Sequence, residues 1–105
     1  MKIYHNRTTY VDQDGAETEE TDAGKVGRTV ISGQDIDGVV HFFQELCLED
    51  PSSQMKNFNS HNSEFILDFE DRVERYVVVD EETNETVSGA VAMEIGKKLN
   101  LNNLD

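Results

Sequence analysis

The sequence predicts an α+β fold: a small, mostly antiparallel sheet of about four strands, an amphipathic helix over 34–48, and a second helix over 88–99. Three observations carry this. Ile36, Val39, Val40, Phe43, Leu46 and Cys47 recur at the 3.6-residue period of a one-sided helix. Phe65, Leu67 and Phe69 alternate, as do Val73, Arg75, Val77 and Val79, with Asp71 as the turn residue between the two runs. Residues 2–11 are rich in Ile, Tyr, Thr and Val, the side chains that suit a pleated surface.

Taken in order, residues 2–11 read as a strand near the edge of the sheet. Residues 12–24 hold six carboxylates, no base and no large apolar side chain, so they form an acidic loop or hairpin tip that cannot order itself by burial. Residues 25–31 read as a second strand, antiparallel to the first. Ser32 is the expected cap of the 34–48 helix, with Asp35 three positions on, and Pro51 ends it because the residue before proline disfavours the helical region. Asn and Ser dominate 52–63, which argues for a loop. Strands follow at 64–70 and 72–80, then an acidic turn at 80–85.

The last segment matches two templates. Val87, Val91, Ile95 and Leu99 repeat at i+4, whereas Val87, Gly89, Val91, Met93 and Ile95 alternate. Ala90, Ala92, Met93 and Glu94, with Lys97 and Lys98 at a helix C-terminus, favour a helix over 88–99. Residues 100–105 read as a frayed tail of a single compact domain spanning 1–105. The expected core is Val30, Ile36, Val39, Val40, Phe43, Leu46, Phe65, Leu67, Phe69, Val77, Val79, Val91, Ile95 and Leu99.

Charge supplies the strongest statement about function. Asp and Glu number 22 against 9 Lys and Arg, a formal charge of −13. Such a surface repels phosphate backbones and anionic bilayers, and the scattered basic residues offer no patch for direct nucleic-acid binding. The longest apolar runs, Tyr76–Val79 and Ala90–Met93, are four residues each, too short to span a membrane. The N-terminal residues lack the apolar stretch of a signal peptide, and a single cysteine, Cys47, makes no internal disulfide, so a cytoplasmic location is expected.

No catalytic or metal-binding set can be assembled. Asp12-Gln13-Asp14-Gly15 and Asp35-Ile36-Asp37-Gly38 look like fragments of a calcium loop. With Gly15 at loop position six, Tyr10 and Thr21 take the first and last places. With Gly38 there, they are Gly33 and Gln44. The ion needs a carboxylate first and a bidentate Glu last, so both registers fail. Cys47 lies on the apolar face of its helix and reads as a small buried hydrophobe. His41 sits between Asp37 and Glu45 on the polar face, His61 in a polar loop and His5 on a strand, and nothing places any of them beside Cys47. Zinc spacing and phosphate-cradling glycine loops are absent. Neither enzyme activity, nor a metal, nor a cofactor is expected.

The leading reading is therefore a small acidic inhibitor that occupies the basic nucleic-acid groove of a partner protein, its carboxylates standing where phosphates would lie. Phage-encoded antagonists and immunity proteins of similar size and charge work in this way. Asp12, Asp14, Glu17, Glu19, Glu20 and Asp22 are the expected contacts, joined by Glu81, Glu82 and Glu85 of the second acidic turn. The alternative is a non-catalytic assembly module in which acidity serves solubility. Phe42, Leu48, Met55, Phe58 and Tyr10 would then offer an apolar patch, or the 2–11 strand would pair across a two-fold axis to form a homodimer.

Overall fold

A computed structural model describes residues 1–12, 14 and 27–104, and the backbone of 17–19. Its elements are β1 (Lys2–Val11), β2 (Glu17–Glu19), β3 (Arg28–Ile31), α1 (Ile36–Glu49), β4 (Gln54–Asn59), β5 (Glu64–Asp68), β6 (Arg72–Val79), α2 (Gly89–Lys98) and β7 (Asn102–Asn103). The strands form one mixed sheet in the order β2-β1-β6-β5-β4-β7, with β3 also paired to β1. Among the described residues, only the short β4–β7 contact is parallel. The α+β class is as expected, with more strands than the sequence pattern reveals. No helix among the described residues is long and apolar enough to cross a membrane.

The one-sided period of α1 lays Val39, Val40 and Phe43 on the sheet. Its N-cap is Asp35 rather than Ser32: the Asp35 carboxylate accepts from the Gly38 amide at 2.8 Å, satisfying an otherwise orphaned donor of the first turn. α2 lies on the same face of the sheet, with Ala92, Ile95 and Gly96 turned inward. Between helices and sheet sits an aromatic column, Phe43 stacked on Phe65 at 5.2 Å and Phe65 on Phe58 at 5.3 Å. Ile3, Val39, Leu67, Val78 and Ile95 around it are wholly buried.

Two β-bulges explain where the pattern misled. In β4 the register with β5 shifts between Met55 and Asn57, so Met55 pairs with Leu67 and Phe58 with Phe65, on one face although three residues apart. A period-two search misses such a strand, and 54–59, expected as loop, is β4. In β1 the register shifts between His5 and Arg7, bringing His5 and Thr8 to one side. β1 is also not an edge strand: β6 takes one side of it, and β2 and β3 share the other. Pairing of the 2–11 strand across a two-fold axis would therefore have to displace β2 and β3.

The phase of β6 is the reverse of the expected one. Tyr76–Val79 is apolar in both phases, and pairing of His5 with Tyr76 and Ile3 with Val78 decides which face turns inward. Val77 is therefore only half-buried while Tyr76 and Val78 join the core, and Val79 at the end of the strand is buried as expected. Val30, expected in the core, is 39% exposed, because an irregularity between Ile3 and Tyr4 sets Ile31 opposite Ile3 instead. Ile36, Leu46, Val91 and Leu99 are half-buried against the core. Of the expected apolar patch, Phe58 is buried, Phe42 and Met55 pack against the core, Tyr10 is half-buried, and only Leu48, at 74%, is strongly exposed. Beyond α2 the chain does not fray at once: Asn102–Asn103 pair with β4, and the Leu104 amide donates to the Phe58 carbonyl at 2.9 Å.

Candidate functional site

The topology gathers carboxylates from three separate stretches of chain at one end of the sheet. β1 finishes there at Val11, whose amide donates to the Asp71 carbonyl in the β5–β6 turn at 2.9 Å. Asp12 and Asp14 follow directly, the Asp14 amide closing an Asx turn on the Asp12 carboxylate at 2.9 Å. Glu70 and Asp71 are exposed in the turn itself. The C-terminus of α1 brings Glu49 and Asp50 to the same end, beside Phe69, Arg72 and Glu74 across a cleft of about 600 Å³. α1 carries no basic residue in its last turn, so the partial negative charge of the helix end adds to these carboxylates.

Inside the rim lies a compact polar network. Glu74 accepts from the Arg72 Nε at 3.0 Å and from the Tyr76 hydroxyl at 2.8 Å. Arg72 also reaches the Asp71 carboxylate at 2.8 Å, and its guanidinium lies 3.9 Å from the centre of the Phe69 ring. Burial opposes the Arg72 charge, but Glu74 and Asp71 outweigh it and hold the group more firmly protonated. The Tyr76 phenol is driven far above its ordinary value, first by burial and then by the neighbouring Glu74 charge. His5 is buried, stacked on Tyr76 at 4.7 Å, its Nε2 2.9 Å from the Thr8 hydroxyl. The Asp50 carboxylate is held below the usual range by the hydroxyl and amide of Ser52.

This network makes a prediction about alkaline stability. A phenol with a raised folded-state value stabilises the fold below its unfolded value of 10.0, and that contribution is lost as pH rises beyond it. The wild type should therefore lose stability above that pH more steeply than Tyr76→Phe, while at neutral pH the variant costs about 1 kcal/mol for the lost hydrogen bond to Glu74. Phenolate absorbance followed alongside circular dichroism checks it: one tyrosine should ionise only as the wild type unfolds, and Tyr76→Phe should lack that step.

The expected contact residues do not form one surface. Asp12 and Asp14 lie at the acidic end, and the backbone of Glu17 and Glu19 runs beside β1, paired with Val11 and Thr9. Glu20 and Asp22 fall outside the described residues. Glu81, Glu82 and Glu85 occupy the β6–α2 turn at the opposite end of β1, about 30 Å away for nine residues of extended chain. There Asp80 accepts from the amides of Glu82 and Thr83, and Glu81 meets the Gly33 amide and lies 3.9 Å from the Met1 amino group. Sequence reasoning missed Glu49, Asp50, Glu70 and Asp71 because their proximity depends on tertiary pairing. The Arg72–Glu74–Tyr76 set did leave a signal, since residues two apart on a strand share a face.

The remaining chemical groups stay apart. Burial pushes the Cys47 thiol up, and hydrogen bonds from Ser53 and the Met55 backbone only partly oppose this. His41 is exposed and 3.9 Å from Glu45, while Asp37 pairs with Lys98 at 3.1 Å. Among the described residues, no three His, Cys, Asp or Glu side chains come together as a metal site. A scan against protein-family models, a search of curated proteins and a search of solved structures return no match, so the functional reading rests on the chemistry of this surface.

Proposed function

We propose that the chain is a small acidic binding protein that inhibits a basic partner, docking its acidic end into a groove that otherwise holds nucleic acid. The observation that supports this is the convergence of Asp12, Asp14, Glu49, Asp50, Glu70 and Asp71 on one end of the molecule, beside a helix C-terminus. Arg72, Glu74 and Tyr76 stiffen the surface behind them, so the carboxylates are presented with less entropy to lose on docking. Glu17, Glu19, Glu20 and Asp22 extend the same acidic stretch in sequence. Glu81, Glu82 and Glu85 serve as long-range attraction, too far away to share one groove contact.

The test is capture of basic nucleic-acid-binding proteins at about 50 mM salt and their release at about 300 mM, a range over which screening of exposed charges grows strongly. Changing Asp12, Asp14 and Asp71 together to Asn should weaken capture about tenfold, chiefly through slower association. The same number of changes at Glu81, Glu82 and Glu85 should have a smaller effect. Binding that ignores salt, or that survives the first triple change unaltered, would remove this reading.

A further inference from the structure

α1 stays apolar for one residue more than its packing on the sheet uses. Leu48 follows Cys47 at the end of the helix and is 74% exposed, the most exposed large apolar side chain among the described residues. It lines a groove of about 650 Å³ where the C-terminal half of α1, the start of β4 and the end of α2 meet. Phe43 and Cys47 of α1, Met55 of β4 and Leu99 beyond α2 line the same space. Phe43 is wholly buried, whereas Cys47, Met55 and Leu99 are half-buried and leave apolar surface to be covered. Small-molecule sites have this size and character, a mainly apolar wall with a few polar groups that fix orientation.

The charge around the groove reverses that of the chain. Its lining holds two bases, Lys56 and Lys98, against one acid, Glu45, in a sequence with 9 bases and 22 acids. Lys98 meets Asp37 at 3.1 Å, an exposed pair that water screens, and Lys56 has no ion-pair partner among the described residues. The side-chain amides of Gln54 and Asn100 add neutral donors. We propose that this groove binds a small apolar carboxylate, a medium-chain fatty acid in chemical class. The tail covers Leu48, Met55 and Leu99, and the carboxylate stays at the wet rim within reach of the lysines. The chain as a whole attracts cations, so a local preference for an anion is what distinguishes this groove from the rest of the surface. None of Asp12, Asp14, Glu49, Asp50, Glu70 and Asp71 lines it, and the inference stands apart from inhibition of a basic partner.

Titration of the full chain with octanoate, followed by amide NMR shifts and by the rate at which iodoacetamide alkylates Cys47, tests this. Shifts are expected at Phe43, Leu48, Met55 and Leu99 with a Kd on the order of 1 mM. Bound octanoate should also slow alkylation, because Cys47 lines the same space. Hexanoate should bind roughly tenfold more weakly, as two fewer CH2 groups are buried. Lys56→Gln should weaken octanoate about threefold and leave octanol unchanged, whereas Glu45→Gln should tighten octanoate by a similar factor. Both side chains are exposed, so these changes leave the fold intact. Lys2→Gln, the same charge change outside the groove, should do less than Lys56→Gln. Leu48→Gln should weaken octanoate and octanol alike. Octylammonium binding as tightly as octanoate, or shifts spread over the surface without centring on the groove, would overturn the proposal. So would the absence of any shift at about 20 mM octanoate, far above the expected Kd.

Discussion

Phe65→Ala is expected to cost about 3–5 kcal/mol, the largest loss of any single side chain here. Phe65 is wholly buried and is the middle ring of the column, stacked on Phe43 of α1 and on Phe58 of β4. Truncation removes the burial of an aromatic ring and both stacking contacts at once. The cavity cannot close easily, since Phe58 is held from behind by Gly96 and Phe43 by its own helix. A domain of this size commonly has about 5–15 kcal/mol in total, so the variant should unfold at a much lower denaturant concentration. Ile66→Ala, one residue away on the face turned from the helices, should cost under about 1.5 kcal/mol, because that side chain is only half-buried. Equal losses for the two would mean that the helix-covered face is not the dominant core.

The contrast between Phe65 and Ile66 also shows what the sequence could and could not reveal. β5 has no bulge, so Phe65, Leu67 and Phe69 alternate cleanly and their burial is legible from spacing alone. α1 is legible for the same reason, its period uninterrupted from Ile36 to Cys47. β4 hides because one extra residue resets its phase, and in β1, legible as a strand over its whole length, a bulge hides which residues turn inward. β6 hides differently: Tyr76–Val79 is apolar throughout, and only pairing with Ile3 and His5 selects the inward side. The acidic tract beginning at Asp12 is visible as composition, yet its neighbours at the acidic end, Glu49, Asp50 and Asp71, come from turns far apart in sequence. Composition finds the charge; topology decides which charges share a surface.

Gly96 is the position where local and tertiary preferences conflict most directly. In an exposed helix, Gly→Ala gains roughly 1 kcal/mol from helix propensity, which is why a glycine inside 88–99 argues against a helix. Here Gly96→Ala is expected to destabilise by about 2 kcal/mol, because overpacking of up to roughly 3 kcal/mol exceeds that gain. A Cβ at this position would fall 2.2 Å from two carbons of the Phe58 ring, well inside contact distance. The ring cannot step aside at small cost, as it is 1% exposed and stacked on Phe65. The absent side chain therefore lets α2 approach β4 closely, and the helix tolerates poor propensity because burial of Ala92 and Ile95 offsets it. Denaturant unfolding of Gly96→Ala checks the sign. Phe58→Leu, destabilising alone, should cost less when combined with Gly96→Ala, since the smaller side chain makes room for the new methyl group. Simple additivity of the two changes would show that the contact between ring and glycine is not what limits the approach of α2.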